Sequence, residues 1–155
     1  MKLLAYEVDK RSFLGVLNED ETWVYPVSAA GMEYRSMKDL IREAGPSEME
    51  MLDYISKKAP GDVMGAAPVD EIRVVSPIAE PDQDIICLGI NYMDHAEESA
   101  RFEKRAFEKP EKAIYFSKRV NRTNDPDGII PAHKNLTNQL DYEAELAVVI
   151  GKDAD

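Results

Sequence analysis

Residues 140–151 read LDYEAELAVVIG, and no other stretch constrains the fold as tightly. In a strand, residues two apart point to the same face. Glu143 and Glu145 then share a face with Ala147, Val149 and Gly151, while Tyr142, Ala144, Leu146, Val148 and Ile150 line the other. Both faces turn apolar within one residue of Glu145, so the two carboxylates are expected at the margin of a core rather than on an open solvent face. Like charges held there repel, and partial burial raises the cost. A divalent cation removes both penalties, and oxygen-only donors at this spacing favour Mg²⁺ or Mn²⁺ over zinc. Two carboxylates rarely complete a coordination shell, so a third protein ligand is expected. Spacing alone also fits a charged edge strand that blocks aggregation.

A chain of 155 residues suffices for one ordinary domain, or for a small domain plus part of another. With 44% apolar and 32% charged residues it has a globular composition. No apolar run approaches the roughly 18 residues of a membrane span. The N-terminus, MKLLAYEVDKRSF, turns polar too early for a signal peptide, and the expected localisation is cytoplasmic. A formal net charge of -11 argues against nucleic acid or an anionic membrane as partner. Cys87 is the single cysteine, which excludes an intrachain disulfide, and its setting in DIICLGI suggests a buried, inert thiol.

Short β-like runs open the chain: KLLAYEV, SFLGVL and TWVYPV, separated by polar turns, predict a small antiparallel meander. Two short helices follow, with Ser36–Asp39 and Ser47–Glu50 at capping-box spacing, and Pro60 with Gly61 is expected to close the second. The Pro-, Gly- and Ala-rich stretch around residues 59–70 reads as a linker, which divides the chain into a small N-terminal domain, 1–70, and a second part, 71–155. In the second part a strand at 72–75 leads to DIICLGI, whose near-continuous apolar character predicts a strand covered on both faces. KAIYFSK reads as another strand, NRTNDPDGII as a long turn, and LDYEAELAVVIG as the last strand.

Between these strands, NYMDHAEESARFEKRAFEK is charged and helix-favouring without a strong apolar stripe, as expected of a surface helix or mobile lid. His95 and Glu98 lie three apart, so in a helix the carboxylate can orient the imidazole, and such a dyad can take a proton from water. The same residues also fit a solvated helix start with Asp94 as N-cap. His133, in PAHKNL, reads as a loop residue.

CLGINYMDHAEES and LDYEAELAVVIGK together resemble the fumarylacetoacetate hydrolase family. The first resembles its Gly, Asn-Tyr and HxxE stretch after a strand, the second its metal-binding strand. AIYFSK, a Pro-Gly turn and IIPAH match the connection between them in kind and order. The resemblance is specific from about Ile85 to Lys152 and looser before it. It implies an α+β architecture: a small N-terminal β-meander with helices, then part of a mixed β-roll, incomplete here.

The resemblance further implies that Glu143 and Glu145 are two of three acidic ligands of Mg²⁺ or Mn²⁺ and that His95 with Glu98 activates water. Lys118 is expected near the pocket wall, and Arg101 with Lys118 could meet a distal substrate carboxylate. The third acidic ligand and the catalytic lysine of the family fall beyond residue 155, so the chain alone is expected to be inactive. The implied chemistry is C–C hydrolysis of a small 2-oxo acid or 1,3-dicarbonyl compound through a metal-stabilised enolate, with oxaloacetate decarboxylation, 2-oxo acid isomerisation or a non-catalytic assembly role as alternatives. Expected partners are that substrate and either a second copy, in a homodimer when complete, or a complementing C-terminal segment. Without one, the strand ending at Ile150 lacks partners and exposes apolar surface.

Overall fold

The computed structural model describes residues 1–102 and 112–153, without the side chains of His95, Glu98, Ser99 and Phe102. It divides into two compact units, residues 1–79 with 124–155, and residues 80–123.

The first unit is built on the predicted meander. β1 (Leu3–Val8) and β2 (Arg11–Leu17) form a hairpin in which Val8 pairs with Arg11. The two-residue loop needs positive φ at both positions, and Asp9 and Lys10 adopt 50° and 64°. β3 (Trp23–Pro26) pairs with β2, and β4 (Ala67–Pro68) with β3. β5 (Arg73–Val75) pairs antiparallel with β1, giving the order β4-β3-β2-β1-β5. The stretch that reads as a linker therefore carries an edge strand, together with the buried Val63.

Alternation along these strands separates two faces. Val16 and Tyr25 are register partners and both fully buried, joined by Val27, Met37, Leu40, Leu52, Ile55 and Val63 in one apolar cluster. α1 (Met37–Glu43) and α2 (Pro46–Ser56) supply Met37, Leu40, Leu52 and Ile55 to it. The buried Tyr25 hydroxyl is satisfied by donating to the Lys58 carbonyl at 2.7 Å. On the opposite face Tyr6 and Val24 are buried and close over Gly15, where a Cβ would come within 2.4 Å of Val24 Cγ2.

The helix starts differ in how far they follow the expected caps. Ser36 caps α1 as predicted, its Oγ accepting from the Asp39 N–H at 3.2 Å. α2 begins two residues earlier than Ser47 suggests: Gly45 is the N-cap, Pro46 the first helical residue, and the Glu48 carboxylate accepts from the Gly45 N–H at 2.6 Å. Pro at the first position costs no hydrogen bond, so it outcompetes the serine that follows. The helix closes at Lys57, ahead of Pro60.

The second unit pairs β6 (Ile85–Gly89) with β7 (Ile114–Lys118) antiparallel and carries α3 (Met93–Phe102). The expectation that β6 is covered on both faces fails. Ile86 is 74% exposed, Ile85 and Leu88 are also exposed, and Cys87 is half-buried. The reason is that β7 is its single ladder partner among the described residues, and a two-stranded ribbon cannot cover its own faces.

The predicted last strand fails likewise. Residues 138–150 form no strand, and Tyr142, Leu146, Val148 and Ile150 are exposed. A strand needs a neighbour for its ladder, and among the described residues neither sheet includes this segment.

Candidate functional site

Glu143 and Glu145 lie in the first unit, in non-regular backbone, and both are exposed rather than set at a core margin. That corrects the geometric reading of the pair: without a covering layer, the apolar residues that follow do not draw the carboxylates inward. Two hard oxygen donors two residues apart suit Mg²⁺ or Mn²⁺ in kind, and two are fewer than such an ion takes. Among the described residues no group of three or more His, Cys, Asp or Glu side chains could hold a metal ion.

His95 and Glu98 lie in the second unit, three positions apart on α3 and hence one turn from each other along the backbone. Their side chains are outside the described residues. Asp94 is inside the first turn of this helix and not its N-cap, because the helix begins at Met93. There its charge complements the positive end of the helix. Ala96 and Ala100, four apart, are buried, so one narrow face of the charged helix is covered. The lid reading continues into residues 103–111, outside the described residues.

Arg101, in the last turn of α3, is exposed, and its Nε donates to the Glu97 carbonyl at 3.3 Å. Lys118 is exposed at the end of β7, its Nζ 5.8 Å from the Phe116 ring centre. In register it faces Ile85, four positions from the Gly89–Ile114 pair. It is therefore roughly 13 Å along the ladder from the point where the chain leaves β6 towards α3. His133 sits in a turn as expected, its carbonyl accepting from the Leu136 N–H at 2.7 Å.

The first unit also holds a concavity of about 640 Å³ that none of the expected site residues lines. Val69, Ile72, Arg73, Asn124, Asp125 and Gly128 border it. Asp125 is engaged there: Oδ2 accepts from Arg73 at 2.6 Å and Oδ1 from the Ser76 N–H at 2.9 Å. A carboxylate held by two donors is a poor candidate for base or metal ligand, and this one is structural. Arg73 and Asp125 are 52 residues apart, and no local pattern signals the pair.

Residues 84–155 match the family described as fumarylacetoacetate (FAA) hydrolase C-terminal. That match takes in just under half of the chain. All the expected site residues fall inside that match. Oxaloacetate tautomerase YisK of Bacillus subtilis is 32% identical over 162 residues, covering 98% of this chain and 52% of that protein. Uncharacterised proteins of Staphylococcus epidermidis and Staphylococcus aureus are each 28% identical, with the same coverage. The chain thus spans about half the length of these relatives. Their likeness runs through the N-terminal unit as well as the family-matched residues. No helix among the described residues is long and apolar enough to cross a membrane.

Proposed function

We propose that this chain supplies part of a divalent-metal-dependent enzyme that enolises a small 2-oxo acid. The observation that carries the reading is that HxxE and ExE both fall within the family-matched residues 84–155. Similarity to a protein named oxaloacetate tautomerase favours keto–enol interconversion of an oxaloacetate-like substrate among the chemistries the family likeness implies. C–C hydrolysis is the second reading, favoured by the His95–Glu98 spacing, which suits activation of a water.

Glu143 and Glu145 would hold the Mg²⁺ or Mn²⁺ ion, with further ligands from outside this chain. Such an ion, when bound, supplies Lewis acidity that lowers the cost of an enolate next to a carboxylate. In the tautomerase reading His95 accepts the proton from the carbon next to the keto group. The C–H pair becomes the enolate C=C bond, and the same imidazolium returns the proton to the oxygen. Atoms balance, and no water is consumed. Glu98 orients the imidazole and stabilises its protonated form. In the hydrolytic reading His95 takes its proton from water instead. Arg101 or Lys118 would meet the distal carboxylate of a dicarboxylic substrate. We further propose a homodimer or a complementing C-terminal segment as partner, and action in the cytoplasm.

The test is a chimera joining this chain to the remaining half of the Bacillus subtilis relative, its fold checked by circular dichroism and gel filtration. Manganese-dependent interconversion of oxaloacetate tautomers, absent from the chain alone and reduced about 100-fold or more by His95→Ala, is the expected outcome. A folded chimera inactive on oxaloacetate, beside an active Bacillus subtilis protein, removes the tautomerase reading. Release of a cleaved acid from a 1,3-dicarbonyl compound would move the assignment to hydrolysis.

A further inference from the structure

Arg73 lies in β5 and bridges two carboxylates, Glu7 of β1 at 2.6 Å and Asp125 at 2.6 Å. Asp125 also takes the Ser76 N–H just past β5, and its own carbonyl accepts from Gly128 at 3.0 Å, closing a tight turn. Its side chain is 22% exposed and that of Arg73 60%, so the ion pair is open to water on the arginine side, while the Ser76 N–H bond is partly buried. Glu7, Arg73 and Ser76 precede residue 84, where the family match begins, whereas Asp125 lies within it.

We propose that Asp125 is the anchor that fastens the segment following β7 to the N-terminal sheet, with Arg73 as its positioning residue. The N-terminal sheet thereby does more than precede the family-matched residues. It holds the turn from which the segment bearing Glu143 and Glu145 departs. Because Arg73 keeps Glu7 when Asp125 is lost, the sheet stays intact and release is confined to the turn. The inference is independent of which reaction the family-matched residues serve.

Amide hydrogen exchange on the full 155-residue chain tests it. Asp125→Ala should raise exchange at Ser76 and residues 124–130 about tenfold or more, while amides of Val16, Val24 and Tyr25 keep wild-type protection. Asp125→Asn retains an acceptor for the Ser76 N–H and should restore protection there, but not at the turn, which needs the ion pair. Arg73→Met should loosen the turn while leaving Ser76 protected. Unchanged exchange at 124–130 in Asp125→Ala overturns the anchor, and so does a uniform rise across the whole sheet. Failure of Asp125→Asn to protect Ser76 overturns the acceptor role.

Discussion

Tyr34 and Glu48 show at residue scale how one side chain can serve two ends. The Glu48 carboxylate takes the N–H of the α2 cap and the Tyr34 hydroxyl, the latter at 2.6 Å. The Tyr34 bond, then the Gly45 amide, hold the Glu48 carboxyl below its ordinary pKa, while the same carboxylate pushes Tyr34 up to about 12. A depressed carboxyl contributes stability above its unfolded pKa and loses it as pH falls through the folded value. A raised phenol contributes below its unfolded pKa, near 10, and loses it as pH climbs to about 12. Thermal denaturation against pH should therefore decline at both the acidic and the strongly basic end, and Glu48→Gln should flatten both limbs. At the β1–β2 turn, two non-glycine residues at positive φ carry strain, so replacing Asp9-Lys10 with Asn-Gly should stabilise the chain by about 1 kcal/mol in urea denaturation. Glu143→Gln and Glu145→Gln should each weaken Mn²⁺ uptake by the chimera more than about tenfold in calorimetry, the loss that even an outer-shell change can cause. Ser36 was legible because a cap acts over three residues. The Arg73–Asp125 pair was not, because it joins elements brought together by folding.

Among the elements, the meander was readable from alternation, since each strand finds its partner within a few residues and one face meets α1 and α2. Leu52 is fully buried in that cluster, and Leu52→Ala should cost about 2–5 kcal/mol in chemical denaturation. Gly15→Ala should cost about 1–3 kcal/mol by overpacking, as the Tyr6 ring and Val24 already fill its Cβ position. DIICLGI and LDYEAELAVVIG carry the same apolar signal as the meander strands but are not covered. Hydrophobicity specifies that a segment wants partners; it does not supply them.

For the whole molecule, the consequence is a concentration of uncovered apolar side chains in β6, β7 and residues 140–150, including Ile86, Tyr115, Leu146 and Val148. Apolar area of that kind drives association. The chain alone should bind an anilinonaphthalene dye and self-associate with rising concentration in analytical ultracentrifugation. Ile86→Lys with Val148→Lys should diminish both. If, as proposed, a complementing segment covers β6, β7 or residues 140–150, the chimera with the relative's remaining half should bind less dye per residue; equal binding would overturn that part of the proposal.

From its sequence this protein has its meander, its first helix cap, its acidic balance and the family that its later residues resemble, because each rests on neighbours in the chain or on motif order. Folding in three dimensions decided which apolar segments are covered, where Asp125 is held, and that Glu143 and Glu145 stand in solvent. Burial depends on the layers that surround a segment, and a strand's own residues cannot specify whether those layers are there.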